Sequence, residues 1–232
     1  MNRKILIISV IILVGALSSS ILLLCSIHQN KLELLLYDEF TSESAVWYWR
    51  HDGTGRHSLN NSIAEFWITN QSTNTTYSNS EIYNNNELPY YHVRLIMRIR
   101  SSNLTKGSRG WGLWNRQMSA TQSELIWFMY MEGNATYPYN GFYAFIQLAG
   151  GAFSAVQLLG IDLLQWHIYQ IDWNSLGIFF YVDNNLVSFN STLIPTATMA
   201  FHFWVDNAVY DYGTVFTHIY QNIDLSLIHI SE

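Results

Sequence analysis

The run Met199–Asp206 reads Met-Ala-Phe-His-Phe-Trp-Val-Asp, and the alternation of an extended strand puts His202, Trp204 and Asp206 on one face. A flat indole beside a carboxylate and an imidazole suits a sugar: the ring stacks on the apolar face of the pyranose while the polar groups hydrogen-bond its hydroxyls. The same trio also fits the acid/base pair of an active site, or a satisfied sheet edge in which Asp206-Asn207 opens a turn. Other chemistries find no footing. No His/Cys cluster has the spacing zinc requires. No glycine loop cradles a phosphate, and no Gly-x-Ser-x-Gly elbow presents a nucleophile. Arg94 and Arg98 read as the solvated face of their strand.

These residues need a scaffold, and the composition says which kind. The chain has 232 residues, 49% hydrophobic, 16% aromatic and 12% charged, which excludes a disordered chain and fits one packed domain. The balance of 11 basic against 17 acidic side chains supplies no phosphate-neutralising surface, so nucleic acid is excluded as a partner. From residue 32 onward, short apolar, aromatic and β-branched runs alternate with clusters of Asn, Gly, Ser and Thr. Strands are expected at Leu34–Phe40, Val46–His51, Ser62–Thr69, Tyr90–Arg100, Gly110–Arg116, Glu124–Met131 and Phe142–Leu148. Further strands follow at Ala152–Leu159, Trp166–Trp173, Ile178–Val182, Leu186–Phe189, Met199–Asp206 and Val215–Tyr220. The fourth alternates cleanly, with Val93, Leu95, Met97 and Ile99 on one face and Arg94, Arg98 and Arg100 on the other. Asp183-Asn184-Asn185 reads as a hairpin turn, while residues 70–79 and 84–86 read as Asn-rich loops. No segment after residue 31 has helical periodicity. The fold expected is an all-β, two-sheet antiparallel jelly-roll sandwich after one N-terminal transmembrane helix.

That helix is expected within residues 1–31. Arg3 and Lys4 precede a charge-free run from Ile5 to Ile27, which spans roughly 35 Å as a helix against a bilayer core of about 30 Å. The basic end stays cytoplasmic and residues 32–224 face outward, giving a single-pass membrane protein. The alternative is a signal peptide cleaved near Gly15–Ser20, which would leave the domain secreted. Cys25, the single cysteine, sits inside the apolar run, so the exported part has no disulfide. Asn-x-Ser/Thr acceptor sites at Asn60, Asn70, Asn74, Asn103, Asn134 and Asn190 agree with an extracellular glycoprotein. At the other end, residues 225–232 read Leu-Ser-Leu-Ile-His-Ile-Ser-Glu. This octapeptide resembles, letter for letter, one frame of a transposase adapter used in sequencing libraries, which implies read-through after Asp224. A natural last strand is the alternative.

Several segments, in order along residues 32–224, resemble the concanavalin A-like sandwich of family-16 glycoside hydrolases, the laminarinase and lichenase group. Leu36-Tyr37-Asp38-Glu39-Phe40 followed by Val46-Trp47 is similar to that family's first strand. Tyr91–Met97 resembles the strand before its catalytic region, and Gly110-Trp111-Gly112-Leu113-Trp114 the aromatic strand that follows. The nearest match is Trp166-His167-Ile168-Tyr169-Gln170-Ile171-Asp172-Trp173, continued by Gly177–Asp183.

The departure falls on the family's active strand, where Glu-x-Asp-x-Glu, or a one-residue-longer variant, places a nucleophile, its assisting aspartate and a general acid over the sugar. The corresponding stretch is Glu124-Leu125-Ile126-Trp127-Phe128-Met129. It keeps the first carboxylate, with Ile126 in the aspartate's place and Phe128 or Met129 in the acid's. Sandwich proteins grouped with the family by similarity show a comparable aromatic segment there, and a segment like Trp204-Val205-Asp206-Asn207. The resemblance therefore implies a non-catalytic branch: a surface-anchored, lectin-like domain that binds a polysaccharide or surface glycan. Trp111, Trp114, Asn115, Trp127, His202, Trp204 and Asp206 are the candidate sugar-binding residues, and each tryptophan has core packing as its alternative. Two other functions stay open: a hydrolase of β-glucan-like polysaccharide using Glu124, and a structural envelope glycoprotein. No cofactor is expected beyond a structural calcium, implied by the family at Glu39 and Asp224.

Overall fold

The computed structural model describes residues 32–69, 77–84, 88, 93–102, 104, 107–119, 121–132, 140–207 and 219–231. Two compact units divide the chain, residues 34–230 and residues 1–33 with 231–232, and the sandwich is built by the first. The apolar run Ile5–Ile27 with Cys25, and the acceptor sites Asn70, Asn74, Asn103 and Asn134, lie outside the described residues. Among the described residues no helix is long and apolar enough to cross a membrane.

Every described element is a strand. They are β1 (Leu32–Asp38), β2 (Trp47–Asp52), β3 (Gly55–Asn60), β4 (Ile63–Ile68), β5 (Asn79–Asn84), β6 (Val93–Ser101), β7 (Gly107–Trp114) and β8 (Leu125–Glu132), followed by β9 (Gly141–Gln147), β10 (Phe153–Gln157), β11 (His167–Asn174), β12 (Gly177–Val182), β13 (Asn185–Asn190), β14 (Ala200–Asp206) and β15 (Ile219–Ser231). One antiparallel sheet runs β13-β12-β11-β6-β15-β4-β3 with β1 paired to β15, and the other runs β10-β9-β8-β7-β14-β5-β2.

The period of two that organises each strand also closes the core. On β6, Val93, Leu95, Met97 and Ile99 are buried, and from the facing sheet Trp111, Phe128, Phe201 and Phe203 complete one cluster with Tyr169, Trp173 and Phe180. Rings in it pack edge-on, such as Trp111 against Tyr169 at 4.7 Å and Phe128 against Phe180 at 5.1 Å, the arrangement aromatic quadrupoles favour. Asp183 and Asn184 take positive φ of 49° and 64°, forming the expected tight turn between β12 and β13. At the sandwich edge a hydrogen bond of 2.7 Å between His51 Nε2 and His57 Nδ1 ties β2 of one sheet to β3 of the other.

Three expectations need correction. A strand, β3, occupies Gly55–Asn60, where none was expected. The Asn-rich loops lose Asn79 and Asn84 to β5, whose polar sequence Asn-Ser-Glu-Ile-Tyr-Asn is buried almost throughout between β2 and β14. The final described strand, Ile219–Ser231, runs on past the expected end at Tyr220, residues 215–218 lying outside the described residues, and the backbone of residues 225–230 pairs with β6.

Candidate functional site

Antiparallel register lays the outer face of the seven-stranded sheet out in rows. His202 of β14 stands opposite Tyr83 of β5 and Gly112 of β7; Trp204 opposite Glu81 and Gly110; Asp206 opposite Asn79 and Ser108. The rows extend through β2, where Tyr83, Glu81 and Asn79 meet Tyr48, Arg50 and Asp52. On the other side Gly112, Gly110 and Ser108 meet Trp127, Met129 and Met131 of β8. These rows floor a cleft of about 580 Å³ lined by Arg50, Tyr77, Asn79, Glu81, Trp114 and Met118, together with Trp127, His202, Trp204 and Asp206.

Two glycines let the indoles lie in the floor. A Cβ at Gly110 would stand 2.3 Å from Trp204 Cη2, so only glycine lets that ring lie over β7. Gly112, at φ +151°, has no room for a side chain either, since a Cβ would meet the Ile126 carbonyl oxygen at 2.1 Å. Trp204 then leans on Trp127 with ring centroids 4.3 Å apart, and Trp114 meets Trp127 edge-on at 6.0 Å. The Trp204 Nε1–H donates to Ser108 Oγ at 3.3 Å, and the Ser108 hydroxyl donates to Asp206 Oδ1, which locks indole and carboxylate into one unit.

The polar side is a second connected group. His202 is 2% exposed, stacked on Tyr83 and met edge-on by Trp114. Its Nδ1 lies 2.6 Å from Glu81 Oε1, while Asn79 Nδ2 donates to Glu81 Oε2 at 3.0 Å. Arg50 approaches the same oxygen at 3.7 Å and pairs with Asp52 at 2.9 Å. Burial holds His202 below its ordinary range, outweighing the pull of Glu81. Tyr77, at the rim, is raised far above the usual phenol range by burial, then by the charges of Asp206 and Glu81.

The structure therefore brings together five of the residues the sequence singled out: Trp114, Trp127, His202, Trp204 and Asp206. It places the others elsewhere. Trp111 is 1% exposed in the core, between Phe128, Phe142 and Tyr169. Asn115 fastens the turn after β7, its Oδ1 accepting from the Glu124 N–H at 3.0 Å and its Nδ2 donating to the Gln122 carbonyl at 2.8 Å. Glu124 is 8% exposed just before β8, and its Oε2 accepts from the Thr196 and Ala197 N–H groups at 2.7 and 2.9 Å. It anchors the segment leading into β14 and does not line the cleft. Of the positions where the family's pattern would place acids, Ile126 and Phe128 face the core, while Met129, the alternative place of the general acid, lies on the cleft side of β8 with Trp127 and Met131.

Arg50, Tyr77, Asn79 and Glu81 were missed by sequence reasoning. The only signal was the alternation of Asn79, Glu81 and Tyr83, hidden in a stretch whose polarity reads as loop. For the metal expectation, Glu39 is exposed and accepts the Tyr37 hydroxyl, while Asp224 lies on β15. Calcium takes about six to eight oxygens, and among the described residues no three His, Cys, Asp or Glu side chains gather as a metal site.

Solved structures share this architecture. The β-glucanase of Bacillus licheniformis is 16% identical, with a TM-score of 0.60 over 85% of this chain and 97% of its own. The κ-carrageenase of Pseudoalteromonas carrageenovora, in complex with an oligotetrasaccharide of κ-carrageenan, is 10% identical, with a TM-score of 0.63 over 88% of this chain and 97% of its own. A pseudo β-1,3-glucanase of Mycobacterium tuberculosis, described as an immunostimulatory antigen, is 15% identical, with a TM-score of 0.60 over 86% of this chain and 99% of its own. No protein-family model matches the chain, and no curated protein matches it. At these identities the likeness establishes the fold, the glucanase-type sandwich the motifs implied, and leaves function to the site.

Proposed function

We propose that this protein is a surface-anchored, lectin-like domain that binds a glycan chain in the cleft of a glucanase-type sandwich. The apolar segment 5–27 would hold it in the membrane with the sandwich outside. One observation carries the reading. The cleft side of β8 presents Trp127, Met129 and Met131, with no carboxylate to attack or protonate a glycosidic bond, while Trp127 and Trp204 offer indole surface beside hydrogen-bonding groups. Polysaccharides bound or cleaved by fold neighbours make this ligand class the natural one to test.

The test is a binding panel on the full chain: laminarin, lichenan, xylan and mannan as uncharged glycans, κ-carrageenan and alginate as charged ones. Binding to at least one glycan is expected. Trp204→Ala should weaken it by about 2 kcal/mol or more, roughly thirtyfold in Kd, as for a central anchor residue. A panel without any binding refutes the reading.

A specific observation favours a second reading. Glu81 and Asp206 both line the cleft and sit diagonally on paired strands, a relation that separates Cα atoms by roughly 7–8 Å. Inverting glycosidases hold their carboxyl groups about 6.5–9.5 Å apart. Under this reading the chain releases reducing ends from β-glucans, and Glu81→Gln or Asp206→Asn each abolishes release. Binding without any reducing-end release over hours leaves the lectin reading alone.

A further inference from the structure

Resting on the glycan-binding reading, the geometry points to His202 as the residue that chooses the ligand: its Nε2 accepts the proton of one hydroxyl of an uncharged glycan. Glu81 Oε1 lies 2.6 Å from His202 Nδ1. A carboxylate only accepts, so Nδ1 carries the ring proton and Nε2 of the neutral imidazole keeps its lone pair. That atom is buried and has no hydrogen-bond partner, on a side chain 2% exposed that lines the cleft. A buried acceptor without a donor is a defect in a finished core and an asset in a binding site, where the ligand completes it.

The neighbours fix the chemical class. Asn79 uses its Nδ2 on Glu81, and its Oδ1 is a second buried acceptor without a partner. The Asp206 carboxylate, which accepts the Ser108 hydroxyl, adds negative charge at the cleft. Arg50, the guanidinium in the lining, is already answered by Asp52 and Glu81. On the donor side, Trp127 Nε1–H is buried without a partner. Acceptors predominate, so the ligand must bring protons. Hydroxyls do so. A sulfate or uronate brings more acceptors and a negative charge beside Glu81 and Asp206, and the cleft disfavours it.

The role has a pH signature. His202 is faced by Glu81 and Tyr83 from β5, Arg50 from β2, Trp114 from β7, Arg116 from the turn after it, Trp127 from β8, and Asp206 four residues along its own strand. Burial chiefly, with Arg116 and Arg50, keeps the imidazole neutral below its ordinary value of 6.5 despite Glu81. Acid converts Nε2 from acceptor to donor and puts a cation in a cleft the ligand has closed. Binding to the neutral form releases a proton when the free protein is protonated, so affinity falls with falling pH, by at most about tenfold per unit.

The experiment takes the tightest-binding glycan of the panel above and measures its Kd from pH 7.5 to 5.0 by calorimetry, for the wild-type chain and His202→Gln. Gln keeps an amide that can answer Glu81 and removes the titrating ring. The inference expects that glycan to be uncharged, the wild-type Kd to rise as the pH falls below 6.5, and the variant's Kd to be weaker and flat. A purely structural role would weaken the variant evenly and keep the slope. Should the variant not fold, the wild-type profile decides, together with the His202 imidazole resonance, which binding should shift to lower pKa. A flat wild-type profile, or a charged glycan as the tightest ligand, overturns the inference and leaves glycan binding standing; no binding at all overturns the reading beneath it.

Discussion

The outer face of the seven-stranded sheet is two surfaces joined along one seam. Its β8–β9–β10 half is apolar: Met129, Met131 and Tyr143 form a buried cluster with Trp204 of β14, against which Trp127, Phe145 and Ala155 pack. Its β2–β5–β14 half carries Arg50, Asp52, Asn79, Glu81 and His202, linked to one another by hydrogen bonds and ion pairs, and Asp206, which accepts the Ser108 hydroxyl. Trp204 leaning on Trp127 is the seam. A face that both holds and cuts a glycan must place acids over the bond. Here the half that resembles the family's active strand is greasy, and the charged half lies on other strands. Apolar ring surface next to a hydrogen-bonding group is what sugar recognition needs, and the seam is where both are present.

The largest expected effect tests the sidedness of β8. Phe128→Ala empties a core position and should cost about 3–5 kcal/mol in denaturant unfolding. Met129→Ala, one residue on and on the cleft side, should cost about 2 kcal/mol. Equal losses would mean the strand is not sided as described. A smaller effect tests the seam: Gly110→Val drives a side chain into the Trp204 indole, costing about 1–3 kcal/mol. It should also weaken glycan binding at least tenfold and move the tryptophan emission; unchanged binding would remove Trp204 from the site. The smallest effect separates Glu124 from both halves. Glu124→Gln weakens two charge-assisted bonds to the Thr196 and Ala197 N–H groups, lowering stability by about 1–2 kcal/mol. Binding should stay within twofold, and a large loss of binding would return Glu124 to the cleft.

Much of this was legible along the chain. Alternation gave β6 its buried and solvent faces, put His202, Trp204 and Asp206 on one side of β14, and marked the Asp183-Asn184 turn. What escaped is instructive. β5 reads as loop because Asn, Ser and Glu dominate it, yet Glu81 is buried through a hydrogen bond to His202 of β14 and an ion pair with Arg50 of β2, and Asn79 donates to Glu81, contacts that no local pattern reveals. Trp111 and Trp127 look alike in sequence, but register puts one in the core and the other in the cleft. Glu124 resembled a nucleophile by spacing and proved to be an anchor for a segment 72 residues away.

The sequence by itself determined the kind of molecule: side-chain period and aromatic content dictate paired sheets over one core, because each strand must bury its apolar side. Only the tertiary structure decided the site. A hydrogen bond between His202 and Glu81 joins residues 121 positions apart, and such a pairing exists only once β14 and β5 lie side by side. The chain encodes which side of each strand is apolar, while strand order and register decide which polar groups meet.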